Sequence, residues 1–568
     1  MTRALSLLLV APGSQLAAQS ARAPARSAPA QSPAAARVAH AVDARALQAH
    51  LEFLAADALE GRGMGTRGAT IAVRYIAAQF ARLGLEPAGD SGTWYQRIPL
   101  TGRIYTTSLV LGDSAPAATH SSDSSRAGSD PPFRPGDDYV AYVTTGDSAA
   151  LAAQPVFVGY GITASEEQWD DYAGADVRGK LVIALAGIPA ERGSPRFVHP
   201  RRDDYGARKY KVEEAVRHGA AGGLVVFRPG GAGPNWFEIA GALTGEQLHL
   251  NVPDTASAAG PVFGGWLNQP AAARIAAAAG LSLDSLAAAA DRPGFRAVPL
   301  PVTLTLSVRA RSRAVPGVNV AARLPGRGAL ADQAVVIGAH YDHLGIGRPV
   351  NGDSIYDGAE DNASGVAGML AIAQAFVHAG ARPGRSVYFA AFGAEEEGLL
   401  GSEAFALRPP IPLDSIAAMF CMDVLNLQAR TRDLASLGGS YSSLGALFRS
   451  ASAAEGYRPT PPDSPIMRLA VAQNFFNRSD QASFARAGVP AIYLYFGDVG
   501  PDGSRDWGLR QLVAYLSTRY HRPNDDLSQR FDYSAAVYPL RVFARTLLAA
   551  ADEPTPARWN ADAPYHRH

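Results

Sequence analysis

Five short stretches in the second half of the chain carry metal-capable side chains at or just after apolar, strand-like runs. His340 and Asp342 follow AVVIGA, and Asp361 stands in GAEDNASG. Glu395 and Glu396 follow SVYFAAFGA, Asp423 closes IAAMFCM, and His521 lies in YHRPND. Continuous apolar runs with β-branched Val335, Val336 and Ile337 read as strands buried on both faces, as in a mostly parallel sheet covered by helices. Open α/β sheets gather ligands beyond the carboxyl ends of their strands. Two histidines and several carboxylates arriving there separately therefore predict an α/β fold with a metal site at that edge, of the kind two-metal hydrolases use.

Each residue taken singly has an ordinary explanation. A histidine after a strand is commonly structural, an Asp before a helix is commonly an N-cap, and three adjacent glutamates can form an exposed acidic turn. Together these explanations fail, because all the residues fall after strand ends in one half of the chain. Asp342 is placed to accept the second ring N–H of His340, which would fix the tautomer of a ligating imidazole. Glu395 and Glu396 are adjacent, so one can hold a metal while the other faces water as general base. His343 is an equally polar neighbour of His340 with no role the sequence assigns. The helix after Asp361 places Val366, Met369, Leu370, Ala373, Phe376 and Val377 on one face and stops at Gly380.

Composition narrows the field further. At 568 residues the chain is too long for one ordinary core, so two structured units plus tails are expected. Zero formal net charge and a pI of about 7.2 exclude the basic excess of a nucleic-acid binder or a polybasic membrane binder. Cys421 is the only cysteine, which rules out an intrachain disulfide and a cysteine-ligated zinc; within MFCMD it reads as a small buried hydrophobe. Arg3, the apolar stretch Ala4 to Ala11 and the small residues Ala17 and Ala18 form a signal-peptide layout, with cleavage after Ala18 or as late as Ala23. No apolar run reaches the roughly 20 residues of a membrane span, so a secreted or periplasmic protein without stable membrane insertion is expected.

Beyond residues 1–18, an Ala/Pro/Ser/Arg linker is expected over 19–40, then helical segments within 41–108 and a variable insertion with linker over 109–154. A second unit with strand and helix signals but no metal-capable cluster occupies 155–300. The main alternation of strands and helices resumes over 301–551, and 552–568 reads as a polar tail.

The motifs GAHYDHLG, GAEDNASGVAGML, FGAEEEGLLGS, MDVLN and YHRPND, in that order, resemble peptidase family M28, zinc exopeptidases with a co-catalytic two-metal site. The resemblance covers residues 40–108 and 301–551, while DDYAGADVRGKLVIAL and HGAAGGLVVF resemble an inserted protease-associated domain. It implies an αβα sandwich with a mixed, mostly parallel central sheet, the zinc-exopeptidase fold, carrying a β-rich α+β insert. It implies two Zn2+ ions per chain, with Mn2+ or Co2+ as alternatives. Asp361 would bridge them, His340 and Asp423 completing one and Glu396 and His521 the other. Glu395 would be the general base, Asp342 would orient His340, and a non-proline cis peptide would follow Asp361. The implied activity is removal of N-terminal residues from peptides. Carboxypeptidase, dipeptidase, glutaminyl cyclase or inactive binding module are the alternatives, and the insert would favour short peptides at the site mouth. One departure is Gln481 after Asp480, where the family usually has His. No oligomeric state is implied.

Overall fold

The computed structural model describes residues 32–113, 132–144, 146–189, 205–228, 236–251 and 261–566. The chain divides into residues 1–30 and 31–568, and everything described lies in the second unit; the expected signal peptide and the first part of the expected linker fall outside the described residues. Its main body is a mixed sheet with a parallel centre. In spatial order the strands Ser386–Phe392, Ala334–His340, Ile416–Cys421 and Ala491–Phe496 run parallel. The flanking strands Val302–Leu324 and Asp433–Leu437 are antiparallel to them.

Alternate residues of the central strands face opposite layers, as the two-residue period of a strand requires. Val335, Ile337 and Ala339 pack with helices Ala44–Leu54, Arg67–Arg82, Ser364–His378 and Tyr533–Asp552. Ala334 and Val336 pack with Phe405, Phe484 and Leu512 from helices on the other face. The helix Ser364–His378 is buried on almost every side rather than along one stripe, because it lies between the sheet and the N-terminal helices.

Strand Ala334–His340 precedes both of its neighbours in sequence, so the chain leaves it toward Ser386–Phe392 and later returns to its other side as Ile416–Cys421. Such a reversal leaves a crevice between the diverging connections at the carboxyl ends of the strands. His340 ends the middle strand, Glu395 and Glu396 follow one neighbour, and Asp423 follows the other.

A second sheet of six strands contains Pro155–Phe157, Leu181–Leu185, Gly222–Val226 and Phe263–Leu267 in parallel order, with Tyr139–Val143 on one edge. Parallel neighbours need crossover connections, and helix Arg208–Arg217 supplies one, so this unit is α/β rather than β-rich α+β. It also begins before residue 155, since Tyr139–Val143 lies within the stretch expected to be insertion and linker. A long antiparallel ribbon of Tyr95–Asp113 and Val302–Leu324 joins the bodies, with Val320 in the main core and Leu304, Leu306 and Val308 in that of the insert.

Two expectations at the ends are corrected. Residues 33–40, expected to be linker, form a helix capped by Ser32, because Ala35, Val38, Ala39 and Val42 recur at helical spacing and bury against helix Tyr533–Asp552. The tail is anchored, with Trp559 Nε1 donating to the Gly488 carbonyl (2.9 Å) and Tyr565 in the core beside Phe476. Among the described residues, no single helix is long and apolar enough to cross a membrane.

Candidate active site

All seven residues singled out in the sequence converge on the crevice. His340 Nε2 lies 3.3 Å from Asp361 Oδ1, 3.3 Å from Asp423 Oδ1 and 3.9 Å from Glu395 Oε2. On the other side of Asp361, His521 Nε2 lies 3.4 Å from Asp361 Oδ2 and 3.1 Å from Glu396 Oε2. Asp361 thus offers one oxygen to each group. It does not cap the following helix, which has no side-chain cap. The Asp361–Asn362 peptide is cis. Ala394, Val424 and His521 occupy the left-handed region (φ 58°, 51° and 57°), a conformation costly for side-chain-bearing residues that concentrates where side chains are re-aimed at functional sites.

Asp342 acts differently from the expectation. Its carbonyl, not its carboxylate, accepts from His340 Nδ1 (3.2 Å), while its Oδ1 is 3.9 Å away. The carboxylate instead accepts the main-chain N–H groups of Glu395 (3.2 Å) and Glu396 (3.3 Å), fixing the turn that presents both glutamates.

These donors fit a divalent metal. With Nδ1–H donating to a carbonyl, His340 presents Nε2 to two carboxylate oxygens, an arrangement that repels unless a cation or proton lies between them. His521 Nε2 is buried beside two carboxylates without hydrogen-bond geometry to either. Candidate ligand atoms of His340, Asp361 and Glu396 lie within 4.8 Å of one another, as do those of His340, Glu395 and Asp423. Imidazole and carboxylate together suit zinc.

The electrostatics separate the two glutamates. Burial raises the Glu395 carboxyl well above the usual range, and the neighbouring Glu396, Asp423 and Asp480 charges add to this against His340. Burial would also raise Glu396, but His521 and His343 outweigh it and hold its carboxyl at about 2. Burial likewise opposes the charge on Asp361, yet the adjacent imidazoles of His340, His521 and His343 hold it well below the carboxylate range.

Several residues of the site were not legible from the sequence. His343 Nδ1 bonds Glu396 Oε1 at 2.6 Å, so it belongs to the cluster. Asp525 accepts the main-chain N–H groups of Glu360 (2.9 Å) and Asp361 (3.1 Å) and the Tyr515 hydroxyl (3.2 Å). Glu360 pairs with Arg519 (2.7 Å) and accepts from Gln428 (2.8 Å). Arg62, fully buried, donates to the carbonyls of Leu54, Tyr341, Asp357 and Gly358, tying the N-terminal segment to the loops that bear His340 and Asp361. Asp480 is fully buried with neither carboxylate oxygen hydrogen-bonded, and burial pushes it up to about 7. Its neighbour Gln481 donates to the Phe476 carbonyl. Cys421 is a buried thiol 3.6 Å from Ser479 Oγ. Beside the cluster, a narrow pocket of about 70 Å³ runs from Asp361, Glu395 and Asp423 between Phe475, Tyr495 and Leu512.

A parallel-centred α/β sheet whose switch point gathers histidines and carboxylates defines a metal-site protein of the α/β class. Residues 319–545 match the model of peptidase family M28. Over 94 residues the chain is 35% identical to a probable zinc metalloprotease of Pyrenophora tritici-repentis, covering 16% of this chain and 21% of that protein. It is 25% identical over 234 residues to leucine aminopeptidase 1 of Penicillium rubens, covering 39% of this chain and 57% of the relative. The chain thus spans from about a fifth to somewhat over half of these relatives. Among solved structures, it is similar to an aminopeptidase from Aneurinibacillus sp. strain AM-1, with a TM-score of 0.48 at 20% identity, over 94% of this chain and 100% of that one.

Proposed function

We propose that the chain is an exported, zinc-dependent aminopeptidase holding two ions. The observation that carries this reading is Asp361, whose two oxygens face His340 with Asp423 and His521 with Glu396. Bound zinc supplies Lewis acidity, which acidifies water and polarises a peptide carbonyl. Burial raises the proton affinity of Glu395, the direction that suits a general base. It takes the proton from the attacking water and returns it to the leaving amine. Asp342 holds the main chain of Glu395 and Glu396 so that the base and the ligand keep separate directions. The narrow pocket favours an apolar first side chain, and the carboxylates at its mouth favour a neighbouring α-ammonium.

A dipeptidase or carboxypeptidase is the second reading, favoured by Arg478 beside Glu395 in the same pocket. Matched N-free, N-acetylated and C-amidated peptides separate the two on the zinc-loaded chain. Cleavage confined to N-free peptides supports the aminopeptidase, and cleavage of N-acetylated peptides alone overturns it. Export rests on the N-terminal pattern and predicts a mature N-terminus after residue 18 or 23; an intact Met1 in the protein recovered from its native cell would refute it.

A further inference from the structure

Outward of Glu395, Glu396 and His521 the crevice widens into a cavity of about 730 Å³. Cavities of roughly 300–1,000 Å³ hold ligands the size of a short peptide. The cavity lies where the two bodies meet, because Lys209 reaches it from the insert helix Arg208–Arg217 while Arg478 and Arg486 reach it from the main body. It shares Glu395, Arg478 and Tyr520 with the narrow apolar pocket, so the two spaces join at the reacting position.

The charges on its wall are uneven once the inner glutamates are assigned to the ions and the base. What remains is Lys209, Arg478 and Arg486 against Glu403. Arg478 is held in place by its Nη2 donating to the Tyr520 hydroxyl (3.1 Å) and by its guanidinium over the Phe475 ring (5.2 Å). A guanidinium fixed in this way keeps N–H groups for a planar anion, and its fork matches a carboxylate. Lys209 and Arg486 are exposed, with their charges available to the cavity. A peptide whose first side chain fills the narrow pocket would lie with its remaining residues in this cavity, and an apolar peptide brings one negative charge there, its C-terminal carboxylate.

We propose that the cavity is a carboxylate-recognising subsite, completed by Lys209 of the insert, that selects peptides of a few residues with free C-termini. The inference rests on the aminopeptidase reading and names its substrate class. The test uses the zinc-loaded full chain with Phe-Gly-Gly and Phe-Gly-Gly-amide, and compares kcat/KM with that of the Lys209→Ala/Arg486→Ala variant. The free acid is expected to be cleaved at least tenfold more efficiently by the unaltered chain. In the variant the ratio should fall at least threefold, through slower cleavage of the acid, with Arg478 retaining the remainder of the preference. Equal cleavage of acid and amide by the unaltered chain would overturn the subsite while leaving the aminopeptidase reading intact. A ratio unchanged in the variant would overturn the assignment to Lys209 and Arg486. Failure to cleave any N-free peptide would overturn the aminopeptidase reading itself, and the subsite with it.

Discussion

Asp525 stands four residues beyond His521, yet its carboxylate serves the loop of Asp361, accepting the N–H groups of Glu360 at 2.9 Å and Asp361 at 3.1 Å. Its own carbonyl accepts from Ala359 N–H, also at 2.9 Å, so one short segment fixes three successive residues around the bridging carboxylate. In Asp525→Asn the amide keeps one acceptor oxygen and turns an NH2 group toward the second N–H. At least one hydrogen bond is then lost, and one buried donor is left facing another. A buried donor left without an acceptor costs about 1–3 kcal/mol, which converts to roughly a tenfold to hundredfold change in an equilibrium constant. Partners that orient metal ligands show losses of about the same size in metal affinity. The expectation is therefore zinc binding weakened by about 10- to 100-fold in a chain that still folds, measured by competition with a chelator of known affinity. A folded Asp525→Asn chain with unaltered zinc affinity would refute the claim that this clamp sets the position of Asp361.

Glu395→Gln should retain the bound zinc and lose about 10²- to 10⁴-fold in kcat, read by turnover alongside metal analysis; retained turnover would move the base elsewhere. His50, buried and bonded to the Tyr75 hydroxyl at 2.8 Å, has its pKa lowered to about 4 by burial and by the nearby Arg82. The unfolded chain binds this proton near pH 6.5 and the folded chain only near 4, so the contribution is complete above 6.5 and is lost as pH falls through 4. The loss amounts to about 3 kcal/mol. Denaturant unfolding of the unaltered chain and of His50→Gln across this window should show the pH slope reduced in the variant, and parallel slopes would contradict the assignment.

The central strands were legible because their apolar, β-branched runs are long enough to be buried on both faces, and AVVIGAH, SVYFAAF and IAAMFC became strands 334–340, 386–392 and 416–421. The residues at the ends of these strands were legible for the same reason, since a charge next to such a run must emerge where the strand stops. What escaped depends on closure of the chain in space. His343 pairs with a glutamate 53 residues away, and Arg62 reaches a carbonyl 279 residues away; neither separation leaves a local pattern. The helix at 33–40 was hidden by an Ala/Pro/Arg composition typical of linkers, although its few apolar residues have helical spacing. The tail looked polar because its anchors are two isolated aromatics, Trp559 and Tyr565. Lys209 carried no signal at all, since its place at the site follows from how the insert packs beside the main body.

The measurement that bears most directly on the account is the number of zinc ions bound per chain at saturation, determined by elemental analysis on protein of known concentration. Asp361 with one oxygen toward each His/carboxylate pair predicts two ions in the unaltered chain. A single ion at saturating zinc, with peptidase activity intact, would contradict it.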